Sequence, residues 1–272
     1  MATQRSEGDA VKWVLFFALV IGAAVAILFT VFPEWDLAIT SLFWDAPRRH
    51  FALAGVPWAQ TARALGNYIP WIIAAPAFAA LVLKLIFPRR RMFMPARAAV
   101  LLALTMALGP GLVVNGILKQ EWGRPRPVHV DTFGGKDGFK SWYETDGTCP
   151  GNCSFVSGEG ALGFWLVAPA SLLPPGPVRA VALVAAVAFG AAAGGLRIAF
   201  GGHFFTDVVF SGVLVVLIVV LARFWLYDRR GAPSDMVVEL AIGRVALKAQ
   251  KGARAAVRRL VARVRRAAGG GA

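Results

Sequence analysis

The chain has 272 residues, of which 57% are hydrophobic, and its formal net charge at pH 7 is +14. A mean hydropathy of +0.62 excludes a water-soluble globular domain. The composition indicates an all-α polytopic membrane protein, because about 20 apolar helical residues are enough to cross a bilayer.

Six segments are apolar for long enough to cross as helices, and we predict a six-transmembrane-helix bundle over residues 11–228. The predicted spans are Val14–Phe32, Ile69–Phe87, Ala98–Leu118, Gly160–Leu173, Ala180–Leu196 and Val208–Tyr227. The fourth is the shortest. Pro70 and Pro76 in the second span, and the Gly-Pro-Gly sequence at 109–111 in the third, are expected to bend their helices.

The positive charge is concentrated in two places, and this predicts the orientation. Four arginines crowd the loop between the second and third spans, and eleven Lys or Arg follow Tyr227. The positive-inside rule places both on the cytoplasmic side, together with a short N-terminus over residues 1–10. The loops 33–68 and 119–159 then face outward, which indicates a multi-pass protein of a bacterial inner membrane with a periplasmic site.

The tail, residues 229–272, is expected to be a separate basic amphipathic helix. Apolar residues recur at steps of three and four from Val238 to Val264, and Lys and Arg fill much of the remainder. We predict that it binds anionic lipids of the inner leaflet. Nucleic-acid binding is the alternative, and the tethering of the tail to a membrane favours lipid.

Cys149 and Cys153 lie in the second outward loop. A small ring closed by a disulfide suits an oxidising compartment, and two free thiols are the alternative. Two cysteines do not make a structural zinc site, and His129 stands outside any known zinc-ligand spacing.

Three polar residues stand at the junction of the last two spans: Arg197, His203 and Asp207. Charge beside hydrocarbon is costly and indicates function. Asp207 follows His203 by one helical turn, so its carboxylate can accept one imidazole proton and leave the other nitrogen nucleophilic. Arg197 offers a fork suited to phosphate oxygens. An interfacial Arg beside a helix-capping His–Asp pair is the structural alternative.

Two further stretches fall on the same outward face. Lys119 and Arg126 are separated by six residues, and two cations that approach one anion from different directions make a phosphate clamp. Ser157 and Gly158 open the fourth span, where unpaired backbone N–H groups favour an anion. Interface anchoring and an ordinary Ser N-cap are the corresponding structural interpretations.

Together the three stretches resemble the signature of the type 2 phosphatidic acid phosphatase superfamily, which includes vanadium haloperoxidases and bacterial lipid phosphatases. The pattern is Lys-x6-Arg-Pro, then Ser-Gly at a helix start, then Arg-x5-His-x3-Asp. The resemblance covers roughly residues 98–224. A haloperoxidase activity is disfavoured because the oxidative members of the family are soluble.

The resemblance implies a role for each matching residue. His203 is similar to the nucleophile that forms a phosphohistidine, and Asp207 to the carboxylate that orients it. The phosphate-binding residues by this resemblance are Lys119, Arg126, Ser157, Gly158 and Arg197. Because fixed donors and positive charge carry this chemistry, neither a metal ion nor a cofactor is implied.

The middle motif departs from the family pattern, since Glu159 stands where the family has the His that protonates the leaving oxygen. Three cases stay open: Glu159 is the acid, no acid is needed, or the site is inactive. A second departure is Leu196, where the family usually has Ser.

We therefore predict a metal-independent lipid phosphatase acting on a phosphatidic acid-, phosphatidylglycerol phosphate- or lipid A-like monoester. Undecaprenyl diphosphate hydrolysis and transfer of the phosphoryl group to a second lipid are the alternatives within the family. A non-catalytic membrane scaffold or anion pathway is the alternative from another class. Neither the oligomeric state nor the identity of the lipid follows from the sequence.

Overall fold

The computed structural model describes residues 9–269, with side chains for residues 10–259. In chain order its helices are α1 (Asp9–Val31), α2 (Glu34–Ser41), α3 (Pro57–Ile86), α4 (Ala96–Met106), α5 (Lys119–Glu121), α6 (Gly158–Phe164), α7 (Val167–Ser171), α8 (Pro177–Ala199), α9 (Phe205–Arg223) and α10 (Asp235–Gly269). Two strands, β1 (Trp44–Asp45) and β2 (His50–Phe51), form an antiparallel ribbon. The prediction of an all-α fold is confirmed. Most of the predicted N-terminal segment 1–10 lies outside the described residues.

Five helical segments in the described part of the chain are long and apolar enough to cross a bilayer, which makes the chain a polytopic membrane protein. They are Ala10–Val31, Pro57–Ile86, Ala96–Glu121, Pro177–Ala199 and Phe205–Asp228. Each overlaps one of the predicted spans. Large apolar side chains such as Ile72 (69% exposed) and Ile27 (66%) face outward, as expected where hydrocarbon replaces water around a helix.

The fourth predicted span is not one continuous helix. It divides into α6 and α7 around Trp165 and Leu166, and most of its residues are buried by neighbouring helices. Its first end lies beside the start of α9, where the Ser157 amide donates to the Asp207 carbonyl at 3.0 Å. At its other end the Ser171 carbonyl accepts from Arg223, near the end of α9. An interrupted helix is tolerated at this depth because protein, rather than lipid, surrounds its backbone.

The third predicted span changes helix type partway along. After α4 the backbone continues as a π-helix from Ala107 to Leu118, which contains Pro110 and leads into α5. Pro110 has no N–H to donate within the helix. Its own carbonyl accepts a hydrogen bond from the Asn115 side-chain amide at 2.7 Å. α3, by contrast, runs through Pro70 and Pro76 as a single helix.

The first outward loop contains α2 and the β1–β2 ribbon. Phe51 of the ribbon packs against Gly201, whose φ of +67° and lack of a side chain let the ring approach the backbone. The ribbon therefore lies over the turn that precedes α9.

α10 packs against the end of the bundle formed by the second-to-third loop. Lys84 pairs with Glu239 at 2.8 Å, and Arg97 pairs with Asp235 at 3.1 Å. The Gln250 side chain also donates to the Leu85 carbonyl at 2.7 Å. The two basic regions thus share one end of the bundle, and the end of α5 and the start of α9 lie at the other.

Candidate active site

Backbone hydrogen bonds bring the three sequence-distant motifs to one mouth of the bundle. The Cys153 amide donates to the Lys119 carbonyl at 2.9 Å, which ties the second outward loop to the end of the third span. The Val128 amide donates to the Gly201 carbonyl at 3.0 Å, which ties the same loop to the turn before α9. Since Ser157 also bonds to Asp207, all three motifs converge as the sequence predicts.

His203 is buried, with 1% of its surface exposed. Its Nδ1 atom lies 2.7 Å from the Ser154 carbonyl oxygen and 3.6 Å from Asp207 Oδ2. Because a carbonyl only accepts, Nδ1 carries the proton and Nε2 is left bare in the neutral ring. The sequence predicts Asp207 as the acceptor, whereas the structure places the Ser154 carbonyl closer.

The ionisation state of His203 follows from its surroundings. Burial lowers the pKa of His203 to about 4, although the nearby Asp207 carboxylate acts to raise it. The positive charges of Lys119 and Arg197 lower this pKa further. The imidazole is therefore neutral near pH 7, which is the state of a nucleophile.

Asp207 accepts three hydrogen bonds at its carboxylate. Ser154 Oγ donates to Oδ2 at 2.5 Å and the Phe204 amide donates to the same atom at 2.8 Å. Arg124 Nη1 pairs with Oδ1 at 2.6 Å, and the ring of His203 lies beside Oδ2. The carboxylate thus fixes the segments on both sides of His203 and also lies against the imidazole itself.

Arg124 extends this network to the first outward loop. It is fully buried, pairs with Asp36 of α2 at 2.8 Å and donates to Thr206 Oγ1 at 2.8 Å. Its guanidinium lies 4.3 Å from the ring centre of Phe204. The sequence analysis missed Arg124, Asp36 and Ser154. The only signal for Arg124 was a second arginine beside the motif residue Arg126.

The side chains of Lys119 and Arg126 both contact Asn152. Arg126 Nη2 lies 2.6 Å from Asn152 Oδ1, and Lys119 Nζ lies 3.4 Å from the same oxygen. A Cβ atom at Gly158 would stand 3.3 Å from Lys119 Nζ, so this glycine leaves room for the lysine at the start of α6. The two cations predicted to form a clamp are therefore within reach of one oxygen atom, next to Gly158.

Ser157 occupies the N-cap position of α6. Its Oγ accepts from the Gly160 amide at 3.2 Å, and the residue is fully buried. This is the capping arrangement that the sequence analysis set beside the phosphate-binding interpretation. The hydroxyl proton is not used by this bond, so Ser157 can both cap the helix and donate to an oxygen.

Glu159 lies between two arginines. Arg63 of α3 donates to Oε1 through Nη2 at 2.7 Å and through Nε at 3.0 Å, and Arg197 Nε stands 3.3 Å from the same oxygen. Burial raises the pKa of Glu159, but the Arg63 hydrogen bonds and the two positive charges outweigh it, so the pKa lies below its usual value. The structure favours the carboxylate form, which has no proton to donate. Arg63 was not predicted as a site residue.

Arg197 is buried, with 7% of its surface exposed, and it packs against Gly202, where any side chain would collide with the guanidinium. Its Nε stands 3.3 Å from Glu159 Oε1 but forms no hydrogen bond of adequate geometry among the described residues. The guanidinium therefore has donor capacity left for an oxyanion.

Cys149 and Cys153 are joined by a disulfide in the second outward loop. Within the described residues, no group of three or more His, Cys, Asp or Glu side chains could hold a metal ion. The positive charges of Lys119 and Arg197 act on His203, and such cations suit an anionic ligand.

Comparison with known proteins identifies the family. A family model of the PAP2 superfamily matches residues 98–231. A lipid A 4'-phosphatase of Francisella tularensis subsp. novicida (strain U112) is 33% identical over 205 residues, which cover 74% of this chain and 92% of that protein. The chain belongs to the PAP2 superfamily. Within that superfamily it falls in the membrane lipid phosphatase branch, and it is a multi-pass membrane phosphatase.

Two further PAP2 relatives share a shorter region. Lipid A 4'-phosphatases of Rhizobium leguminosarum and of Rhizobium etli (strain ATCC 51251 / DSM 11541 / JCM 21823 / NBRC 15573 / CFN 42) are 42% and 40% identical over 121 and 119 residues. The matched region covers 43% of this chain in both cases, and 51% and 46% of the respective relatives. No solved structure matches the chain.

Proposed function

We propose that this PAP2 phosphatase removes a phosphate monoester from lipid A or a closely similar lipid. The observation that carries the proposal is the bare Nε2 of His203 close to the positive charges of Lys119 and Arg197. Arg126 shares the Asn152 oxygen with Lys119, and Arg63 shares the Glu159 carboxylate with Arg197, so four cations belong to one cluster. Glu159 offsets one of these four positive charges and Asp207 is paired with Arg124, so the cluster stays positive, which suits a phosphate dianion. The names of three relatives favour lipid A over other phosphorylated lipids.

The proposed reaction has two steps. Lys119, Arg126 and Arg197 bind the phosphoryl oxygens, with the Ser157 hydroxyl and the Gly158 amide as further donors. His203 Nε2 attacks phosphorus in line, the bond to the lipid oxygen breaks, and that oxygen takes a proton from water as the lipid alcohol leaves and a phosphohistidine forms. Water then attacks phosphorus and gives up a proton to solvent, the nitrogen–phosphorus bond breaks, and inorganic phosphate leaves. The fixed cations neutralise the developing charge, so the proposal needs no metal ion.

Asp207 positions the nucleophile in this proposal. Its carboxylate stabilises the positive charge that His203 acquires when it bonds to phosphorus, and the Ser154 carbonyl keeps the Nδ1 proton in place. Both acceptors are buried, so their effect is not weakened by water.

Glu159 is assigned a positioning role rather than that of the acid considered from the sequence. Its carboxylate holds Arg63 and Arg197, and the lowered pKa opposes protonation. We expect Glu159→Gln to slow hydrolysis of an alkyl phosphate and of an activated aryl phosphate by the same factor, about tenfold, as loss of charge-assisted hydrogen bonds implies. A much larger loss of rate on the alkyl phosphate than on the aryl phosphate would show that Glu159 acts as the acid, because only a poor leaving group needs a proton donor.

We also propose the topology and location that the charge pattern predicts. In this topology α6 and α7 together form one crossing, residues 160–173, which is the fourth of six in chain order. Their ends lie beside the start and the end of α9, which supports this crossing. The active site then faces the periplasm of a bacterial inner membrane. Residues 11–228 form the phosphatase domain, and the tail 229–272 rests on anionic lipids of the cytoplasmic leaflet.

The function is tested by incubating the purified protein, in the presence of a chelator, with lipid A, phosphatidic acid, phosphatidylglycerol phosphate and undecaprenyl diphosphate. We expect release of inorganic phosphate, fastest from lipid A, without any added acceptor lipid. His203→Ala provides the blank. Release only when a second lipid is present would indicate a phosphotransferase. No turnover of any lipid by the wild type would support a non-catalytic scaffold or anion pathway.

A further inference from the structure

The disulfide ring Cys149–Cys153 lies directly against the segment that carries both cations of the phosphate clamp. The Cys153 amide donates to the Lys119 carbonyl at 2.9 Å, and the Cys149 amide donates to the Gly123 carbonyl at 3.1 Å. Both ends of the ring are therefore attached to the Lys119–Arg126 segment. The five-residue ring has little freedom to move relative to that segment.

Asn152 is the ring residue that contacts the clamp. Its backbone carbonyl accepts from Arg126 Nε at 3.0 Å and from Nη2 at 2.7 Å. Its side-chain Oδ1 accepts from Arg126 Nη2 at 2.6 Å and from Lys119 Nζ at 3.4 Å. The φ angle of Asn152 is +51°, a left-handed conformation that asparagine adopts more readily than most residues other than glycine.

The contacts of Asn152 oppose the repulsion between the two cations of the clamp. Lys119 and Arg126 repel each other when no phosphate lies between them, and this repulsion tends to separate the cations. The neutral amide oxygen attracts both without cancelling either charge. Among the described residues no acceptor meets Arg126 Nη1, so Asn152 occupies one edge of the guanidinium and leaves the other for a ligand.

We propose that Asn152 is a positioning residue that holds Lys119 and Arg126 ready for the phosphoryl oxygens, and that the Cys149–Cys153 disulfide fixes Asn152 in place. The inference rests on the proposed function, because it concerns the phosphate clamp of the same site. It also makes tight binding of phosphate dependent on an oxidised ring. A carboxylate in place of the amide would neutralise the clamp and compete with the substrate.

Two variants at Asn152 test the side chain, with orthovanadate as a probe that needs no turnover. Asn152→Gly keeps the left-handed backbone and the carbonyl contacts, and we expect its Kd for orthovanadate to rise about tenfold through loss of a hydrogen bond to a charged group. Asn152→Asp keeps the size, and we expect a larger rise. The KM for para-nitrophenyl phosphate should rise in the same order.

The melting temperature of each variant, measured without ligand, separates positioning from folding. A variant that melts with the wild type but binds orthovanadate more weakly has lost positioning of the clamp. If wild type and both variants bind orthovanadate equally tightly, the role of Asn152 is refuted while the proposed function stands. If the wild type neither binds orthovanadate nor releases phosphate, the proposed function itself fails. If Asn152→Asp binds more tightly than Asn152→Gly, the electrostatic argument is wrong.

The ring is tested by reducing it with a phosphine. We expect the reductant to raise the Kd of the wild type for orthovanadate to the value of the double variant Cys149→Ser/Cys153→Ser, and to leave that variant unchanged. Full binding by the folded double variant would show that the ring does not fix Asn152.

Discussion

At the residue scale, the buried charges Asp36, Arg124 and Asp207 form a framework for the nucleophile. Burial of three ions is costly, and it is tolerated here because each ion is paired and hydrogen-bonded. The arrangement joins α2 and the second outward loop to the carboxylate of α9 that lies beside His203. Rigid support of this kind keeps the imidazole aimed at one position.

Replacement of Arg124 with Met should therefore damage both stability and activity. Two buried carboxylates lose their common partner, and we expect the free energy of unfolding to fall by about 3–5 kcal/mol. Thermal denaturation in detergent measures the change. The double variant Asp36→Asn/Arg124→Met should recover part of the loss, and Arg48→Met, whose side chain is 79% exposed, should resemble the wild type. Equal stability of all variants would mean that the network contributes nothing.

The pKa of His203 predicts a response of stability to pH. Its folded value of about 4 lies below the value of about 6.5 expected in an unfolded chain. Between these values the unfolded chain binds an additional proton, so His203 destabilises the fold progressively as the pH falls from about 6.5 to about 4. The melting temperature of wild type should therefore fall more than that of His203→Ala between pH 7 and pH 4.5. Parallel decreases would place the folded pKa near its ordinary value.

At the element scale, glycines set the distance between the helices that carry the site. A Cβ atom at Gly163 of α6 would lie 2.8 Å from the Gly190 Cα atom of α8. A side chain at Gly190 would collide with the Phe164 ring, and one at Gly194 would collide with Val208. α8 carries Arg197 and α6 follows Ser157, so this close packing brings two of the three motifs together.

Gly190→Ala should separate α6 from α8, whereas Gly195→Ala in the same helix should not. We expect the first variant to be destabilised by about 1–3 kcal/mol, as overpacking usually costs. Nothing lies within 4 Å of a Cβ atom at Gly195, and alanine favours a helix, so the second should be as stable as wild type or more so. Thermal denaturation and para-nitrophenyl phosphate hydrolysis compare the two. An undamaged Gly190→Ala variant would contradict the packing argument.

At the scale of the whole molecule, the charges at the two ends of the bundle serve different purposes. The basic loop and α10 are joined by ion pairs such as Lys84–Glu239 and present lysines and arginines at one end. At the other end, the cations converge on His203 instead of facing outward. We propose that the first pattern orients the protein in the membrane and that the second binds a ligand.

Labelling with a membrane-impermeant maleimide tests this orientation. In a background without Cys149 and Cys153, a cysteine at Lys136 should react in intact spheroplasts, because the proposed topology places the second outward loop in the periplasm. A cysteine at Arg90 should react only after lysis. The reverse pattern would place the active site on the cytoplasmic side and contradict the proposed location.

The sequence by itself determined the membrane class, the positions of five spans and the three motifs of the site. These features depend on local properties: runs of apolar residues, clusters of basic residues, and motif spacings. It also predicted the convergence of Lys119, Arg126 and His203, because alternate ends of spanning helices share one face of a bilayer.

Only the tertiary structure decided which groups support the motif residues. Arg63, Arg124 and Asp36 pair with partners 83 to 96 residues away along the chain, and no local pattern encodes such pairs. The state of Glu159 depended on Arg63 in the same way, since burial and ion pairing push its pKa in opposite directions. The division of the fourth span into α6 and α7 was equally invisible, because enclosure by neighbouring helices is what makes an interrupted backbone tolerable.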